Sequence, residues 1–194
     1  MAKLSEIRTT ETVTAETVRY NDLPKVIKVI FVLLSNVGLA IAILYIFGLS
    51  IAGYALLDNA YYYLLIAFFS SCAFLILPAR KQDRRIPWYD IAAAAVTFGT
   101  CIYFFLHAED ILLVGWSHPT PFNFALGLIL CILILEGGRR MAGNFYLGVC
   151  AILGLYPVFA GHMPGFLSGR SFSLINTVGF HVFGSEGLIG LPPR

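Results

Sequence analysis

Long apolar runs separated by short polar segments dominate the pattern of this chain. The runs are Val26–Ala52, Ala60–Leu77, Trp88–Leu106, Pro121–Arg140 and Met141–Ala160. Each holds roughly 20 residues or more, and a helix of about 20 residues is about 30 Å long, enough to cross the hydrocarbon core of a bilayer. The pattern therefore predicts an all-α integral membrane protein with about five transmembrane helices.

Helix-start residues support these boundaries. Thr120 is suited to an N-cap, and Pro121 follows it at the first helical position. Pro24 can start the first span, whereas Asp58 and Asn59 are expected to form a short break and an N-cap before the second. The predicted spans thus begin at residues that favour helix starts.

The second span opens on Tyr61, Tyr62 and Tyr63. Aromatic side chains of this kind are enriched at membrane–water interfaces, so the three tyrosines predict an aromatic belt at the outer interface.

The segments that flank the spans define the predicted domain organisation. Residues 1–22 are polar and lack apolar periodicity, which predicts a flexible or weakly helical cytoplasmic tail before a membrane domain over residues 23–170. Residues 171–194 are apolar but interrupted by glycines. Leu174, Ile175, Val178 and Val182 fall on one helical face, so we expect a short helix lying in the outer membrane interface rather than a sixth span.

Composition agrees with a membrane protein. The 194 residues are 58% hydrophobic and 12% charged, whereas a soluble domain carries about a quarter charged residues. The net charge of +2 says little about a partner, and we expect no nucleic-acid partner. All four cysteines lie inside apolar runs, which argues against disulfides and against a cysteine metal site.

The basic residues fall mainly on one side of the predicted bundle. With a cytoplasmic N-terminus, 11 of the 13 basic residues are cytoplasmic, as the positive-inside rule requires. These are Lys3, Arg8, Arg19, Lys25, Lys28, Arg80, Lys81, Arg84, Arg85, Arg139 and Arg140. Arg170, Arg194 and the four histidines fall on the other side.

Two groups of charges near the cytoplasmic helix ends are candidate contact sites. Glu136 precedes Arg139 and Arg140 by three and four residues, so the three share a helix face. They suit either an ion-paired contact with a partner subunit or anionic lipid, or a plain membrane anchor with snorkelling arginines. Asp90 near Arg84 and Arg85 has the same alternatives, together with a helix-dipole role. The predicted inner anchoring or subunit-contact set is Arg80, Lys81, Arg84, Arg85, Asp90, Glu136, Arg139 and Arg140.

The spans carry no acidic or basic residue near the predicted bilayer midplane, where transporters bind substrate and ions. We therefore expect that the chain does not transport alone. The sequence has no nucleophile elbow, phosphate loop or His-Glu-x-x-His motif, so we predict neither catalytic residues nor a cofactor. His107, Glu109, Asp110 and His118 match no metal-ligand spacing, and a hydrated loop over residues 107–119 is expected instead.

Three motifs carry a family resemblance. They are Leu-Glu-Gly-Gly-Arg-Arg at 135–140, Met-Pro-Gly at 163–165 and Ser-Glu-Gly-Leu-Ile-Gly-Leu-Pro at 185–192. In this order the chain resembles the N-terminal part of the fused 4TM/12TM permeases of tripartite ATP-independent periplasmic (TRAP) transporters, in their TAXI branch. The resemblance covers Pro121 to Pro192 by motif and the first three spans by pattern only. Fused members of this family continue beyond the position of Arg194. The chain is therefore expected to be either a separate subunit or part of a fusion that has been cut.

The resemblance implies a small Q-type subunit in the bacterial inner membrane, held against a large M-type permease. In that family the permease moves substrate by an elevator motion coupled to an ion gradient, and a periplasmic binding protein delivers an organic acid. The small subunit is expected to scaffold the permease and to offer part of the docking surface. On this chain the expected outer docking residues are Glu109, Asp110, His118 and Arg170.

The alternative is a stand-alone membrane protein, such as a small channel or an assembly factor, whose spans close on themselves as a homo-oligomer. The Gly38-xxx-Ala42 and Ala95-xxx-Gly99 spacings allow close helix contacts in either case. An integral-membrane enzyme is a third possibility, but the spans lack the clustered polar residues that it would need.

Overall fold

The computed structural model describes residues 20, 23–48, 57–79, 86–114, 119–165 and 168–184, and only the backbone of 112–114. Every regular element in these ranges is helical. The elements are α1 (Lys25–Ile46), α2 (Asp58–Ile76), α3 (Trp88–Leu106), α4 (Ala108–Val114), α5 (Pro121–Ala142), α6 (Asn144–Phe159), a 3-10 turn (Ala160–His162) and α7 (Leu174–Phe183).

Five of these helices are long and apolar enough to cross a membrane: α1, α2, α3, α5, and α6 together with its 3-10 turn. The described part of the chain is thus an all-α protein of multi-pass membrane type, and the predicted fold class is confirmed.

The long helices alternate in direction. At one end the Tyr45 hydroxyl donates to Asp58 Oδ1 at 2.6 Å, which joins the end of α1 to the start of α2. At the other end Arg140 Nη1 donates to Leu77 O at 3.1 Å, which joins the end of α5 to the end of α2. We call the end that holds Arg140 the arginine end. The opposite end, where His107 follows the last residue of α3, is called the His107 end.

Several helix boundaries agree with the sequence. α3 spans Trp88–Leu106 as predicted. At the start of α5 the Thr120 side chain accepts a hydrogen bond from Asn123 N at 3.2 Å, with Pro121 in the first turn. α1 stops at Ile46 instead of reaching Ala52, because the chain turns at Gly48 with φ +64°.

The predicted break at Asp58 and Asn59 is wrong. Both residues belong to the first turn of α2, and Leu57 occupies the N-cap position without a side-chain hydrogen bond. A carboxylate in the first turn is favoured by the helix dipole, so Asp58 suits its position inside the helix. Asn59 instead directs its amide Nδ2 to Phe183 O at 3.1 Å.

α2 and α3 form the centre of the bundle, and two apolar clusters fill it. The larger cluster lies toward the His107 end and includes Tyr63, Phe104, Leu130 and Val182. The smaller one, near the arginine end, contains Phe74, Leu75 and Ala94. Because Tyr61 and Tyr63 are buried among protein side chains, the expectation that they form an interfacial aromatic belt is wrong for both.

α1 and α6 lie at the periphery. Gly38 is the buried residue of α1, and a Cβ at this position would meet the side chains of Phe68 and Phe69 of α2. None of the residues of α6 is buried. These helices therefore present most of their apolar surface away from the chain itself.

The predicted hydrated loop over residues 107–119 is wrong in part, because Ala108–Val114 form α4. Glu109 and Asp110 stand in its first turn, where negative charge favours a helix. Ile111 is buried against the larger cluster and anchors α4 to the bundle. Residues 115–118 lie outside the described ranges.

A short helix after residue 171 was predicted and is confirmed as α7. Its N-cap is Ser173, whose Oγ accepts from Asn176 N at 3.2 Å. Ten residues make about 15 Å of helix, too short to span a bilayer. The predicted apolar face is half right, since Val178 and Val182 are buried while Leu174 and Ile175 are exposed.

The C-terminal half of α7 inserts between the long helices. The Tyr63 hydroxyl donates to Val182 O at 2.7 Å, and the rings of Phe104 and Phe183 meet edge to face at 5.2 Å. His181 Nε2 lies 2.9 Å from Gly154 O, which ties α7 to α6. α7 therefore links peripheral α6 to the central helices.

Candidate functional site

A cluster of charged side chains at the arginine end is the most polar assembly that the structure describes within the long helices. We call Asp90, Glu136, Arg139 and Arg140 the arginine cluster. Arg140 is its centre: Nη1 donates to Asp90 Oδ1 at 2.8 Å and Nε donates to Glu136 Oε1 at 2.9 Å. Arg140 therefore joins α5 to α3.

Arg139 completes the cluster from the exposed side. Its Nε and Nη2 donate to the two carboxylate oxygens of Glu136, both at 2.6 Å. Paired donors of this kind match the planar guanidinium to the planar carboxylate and are among the stronger hydrogen bonds in proteins. The side chain of Arg139 is 29% exposed, compared with 4% for Arg140.

The local structure explains why these residues meet. Asp90 is the third residue of α3, and Arg140 is the third from the end of α5. α3 and α5 run in opposite directions, so the two side chains stand at the same depth. Leu77 O lies just past the end of α2, where backbone carbonyls lack a partner within the helix, and it accepts from Arg140 Nη1 at 3.1 Å.

Packing places Arg140 in a fixed position. Its guanidinium carbon lies 4.9 Å from the centre of the Phe74 ring, a distance suited to a cation–π interaction. Asp90 has a side-chain exposure of 0%. Burying charges is costly unless they are paired and hydrogen-bonded, and this pair meets that condition.

The cluster contains two acids and two bases, so its formal charge is zero. Each arginine has an acidic partner inside the chain. This arrangement is suited to holding the ends of α2, α3 and α5 together. It offers little excess positive charge for an anionic lipid, which was one of the alternatives for Glu136, Arg139 and Arg140.

The structure brings together four of the predicted inner residues: Asp90, Glu136, Arg139 and Arg140. The other four, Arg80, Lys81, Arg84 and Arg85, lie outside the described residues, as does the predicted pairing of Asp90 with Arg84 and Arg85. The pairing of Asp90 with Arg140 was missed. The depth of the two residues in the predicted membrane could have indicated this pair, because each is the third residue from a helix end on the same side of the membrane.

The predicted outer residues form no comparable cluster. Glu109 and Asp110 are exposed on α4, and Arg170 is exposed in the segment before α7. No hydrogen bond or ion pair joins Arg170 to either acid within the described part of the chain. His118 lies outside that part. The docking role of these residues stays a prediction.

The described residues contain no group of three or more His, Cys, Asp or Glu side chains placed to hold a metal ion. His107, Glu109 and Asp110 follow one another at the junction of α3 and α4. The chemistry that the geometry of the arginine cluster supports is ion pairing between helices.

Comparisons of the chain with protein-family models, with curated proteins and with solved structures give no match.

Proposed function

We propose that the chain is the small Q-type membrane subunit of a TRAP transporter, of the kind found in the TAXI branch. In this role it scaffolds a large M-type permease that takes up an organic acid by ion-gradient-driven symport. The observation that carries the proposal is the arginine cluster. The motif on which the family resemblance rests, Leu-Glu-Gly-Gly-Arg-Arg, supplies three of its four side chains.

The distribution of charge supports a role without transport of its own. In the described long helices every acidic or basic side chain stands within two turns of a helix end. These are Lys25, Lys28, Asp58, Asp90, Glu136, Arg139 and Arg140. Substrate and ion sites of secondary transporters lie near the bilayer midplane, so a chain of this kind suits a supporting subunit better than a carrier.

The peripheral helices offer the surface that a larger membrane protein would need. On α6 the side chains of Phe145 and Ile152 are 86% and 72% exposed, and α1 is similarly open. Lipid would suit the same surfaces. The exposed side chains of α1 and α6 therefore do not identify the partner. Isolation of the chain together with its partner does.

The proposed location is the bacterial inner membrane, with the arginine end on the cytoplasmic side. The excess of basic residues on that side supports this orientation. The exposed acids Glu109 and Asp110 stand at the His107 end, and we place the docking of a periplasmic binding protein there.

One observation favours the alternative of a homo-oligomer. Ala95 and Gly99 are exposed on α3, and a Gly99 Cβ would have no atom within 4 Å apart from its chain neighbours and its own helix backbone. Gly38, in contrast, is occupied by its contact with Phe68 inside the chain. The Ala95–Gly99 face is thus available to a second copy.

Isolation of the chain from native membranes in a mild detergent, followed by mass spectrometry, tests the proposal. A large multi-span protein recovered in near-equal amount is the expected result. Recovery of the chain alone, as a defined homo-oligomer, would overturn it. The variant Gly99→Leu separates the two outcomes, because a homo-oligomer built on the α3 face should dissociate whereas a permease complex should remain.

A second test addresses the cluster. Arg139→Ala with Arg140→Ala is expected to weaken assembly or membrane insertion, because the helix ends lose their ion pairs. Uptake assays on membranes that contain the partner should then show less activity with an unchanged order of substrate preference. A changed preference would count against a scaffold role.

A further inference from the structure

A small cavity opens at the His107 end, away from the arginine cluster. It has a volume of about 140 Å³ and is half-open. Its lining includes Tyr103, His107, Asp110, Thr120, Asn123 and Phe183. The end of α3, α4 and the start of α5 therefore border a space whose surface is mainly apolar and carries a few polar atoms.

The hydrogen bonds within the chain determine which donors and acceptors the polar side chains of the cavity leave available to a ligand. His107 Nδ1 lies 3.0 Å from Tyr103 O; a carbonyl can only accept, so Nδ1 carries the proton and Nε2 of the neutral ring is an acceptor. The Tyr103 hydroxyl donates to Asn123 Oδ1 at 3.1 Å. No partner of the Asn123 amide nitrogen lies among the described residues, so its two N–H groups are left to donate.

Asp110 supplies the charge. It is exposed, and no ion pair involves it within the ranges that the structure describes. The lining thus combines one unpaired carboxylate, a histidine acceptor and an amide donor. A ligand that complements it has a cation with N–H groups and, beside it, a hydrogen-bond acceptor.

The cavity stands at the depth of lipid headgroups. α3 ends at Leu106 and α5 begins at Pro121, and the ends of membrane-spanning helices lie at the headgroup level. A cavity needs about 10–15 Å³ of accessible space to hold one water, so the volume of about 140 Å³ suits a group of several heavy atoms. An aminoethyl phosphate group has the required size and chemistry.

We propose that this cavity binds the headgroup of an ethanolamine phospholipid. The primary ammonium donates to the Asp110 carboxylate and to His107 Nε2, while a phosphate oxygen accepts from the Asn123 amide. A choline headgroup has no N–H to donate and is excluded from these bonds. The inference is independent of the proposed transporter role, since it requires no partner protein.

Native mass spectrometry of the full chain, released from bilayers of equal ethanolamine and choline phospholipid, tests the proposal. We expect about tenfold enrichment of the ethanolamine lipid, the scale set by a charge-assisted hydrogen bond. Asp110→Asn should lower the ratio to nearly that of the bilayer. Glu109→Gln is the matched control: this neighbouring carboxylate does not line the cavity, so the enrichment should persist.

Three results would overturn the proposal. The first is equal retention of the two lipids by the wild-type chain, and the second is an equal loss of enrichment in Asp110→Asn and Glu109→Gln. The third is Asp110-dependent binding of free ethanolamine as tight as that of the lipid, which would make a soluble amine the ligand. If Asp110→Asn unfolds at the same temperature as the wild type, a loss of enrichment comes from the cavity and not from a less stable fold.

Discussion

The charged side chains at the two ends of the bundle differ in burial and in pairing. At the arginine end Asp90, Glu136, Arg139 and Arg140 face one another, and the side chains of Asp90 and Arg140 are 0% and 4% exposed. At the His107 end Glu109 and Asp110 are exposed, and Asp110 lines a half-open cavity. Charges that are satisfied inside the chain hold helices in register, whereas charges left open are available for recognition.

The two ends also differ in what their loss would cost. Removing one partner of a buried ion pair leaves the other charge without its main stabilising contact, which is costly in a medium of low dielectric constant. An exposed carboxylate keeps its water and loses little when it is replaced. Substitutions at the two ends should therefore separate clearly on a scale of unfolding free energy.

Arg140→Met is expected to have the largest effect. It removes the bonds to Asp90, Glu136 and Leu77 O at once, and we expect a loss of about 3–5 kcal/mol in the free energy of unfolding. Denaturant unfolding in detergent micelles measures it. Arg139→Met is the matched control and should cost about 1 kcal/mol or less, because that side chain is partly exposed. Equal losses would contradict the central place of Arg140.

Gly143→Ala should come next. Gly143 is the single residue between α5 and α6, and it has φ +86° and ψ −178°, a conformation essentially restricted to glycine. We expect a loss of about 1–3 kcal/mol. Gly148→Ala is the control: this helical glycine has no other atom near its Cβ position, so alanine should be neutral or stabilising by up to about 1 kcal/mol. A neutral Gly143→Ala would refute a conformational requirement at this connection.

Tyr63→Phe tests how α7 is held at the His107 end. The variant loses the hydroxyl that donates to Val182 O, and a buried carbonyl left without its partner costs about 1–3 kcal/mol. Hydrogen exchange should show faster exchange of the α7 amides while α3 and α5 stay protected. Tyr62→Phe, which alters a hydroxyl without a hydrogen bond in the described residues, should leave α7 unchanged. Equal exchange in the two variants would mean that Tyr63 does not hold α7.

Glu109→Gln combined with Asp110→Asn should have the smallest effect on stability. Both side chains are exposed at the start of α4, and surface substitutions of this kind usually change the unfolding free energy by less than about 0.5 kcal/mol. The same unfolding assay applies. A loss as large as that of Arg140→Met would remove the contrast between the two ends.

Much of the fold could be predicted from the sequence because the signals are local. Apolar length located all five long helices, and Thr120 followed by Pro121 located the start of α5. The spacing of Glu136, Arg139 and Arg140 placed three of the four cluster side chains on one helix face. Each of these inferences depends on residues within a few positions of one another.

The remainder depends on contacts that local pattern does not carry. Asp90 and Arg140 are 50 residues apart, and only the antiparallel arrangement of α3 and α5 brings them to one depth. Tyr61 and Tyr63 were expected at the membrane interface but are buried in the protein. Composition does not distinguish the two locations, because lipid and a protein core are equally apolar partners. Glu109 and Asp110 predicted a loop because the acidic first turn of α4 is short and polar.

The energetic coupling between Asp90 and Arg140 tests the central claim, that the charged side chains at the arginine end stabilise the fold by pairing with one another. Unfolding free energies of the wild type, Asp90→Asn, Arg140→Met and the double variant form a double-mutant cycle. We predict a coupling of about 2–3 kcal/mol, so that the double variant loses about 2–3 kcal/mol less than the sum of the two single losses. Additivity of the two single substitutions within about 0.5 kcal/mol would show that these charges act separately and would contradict the account.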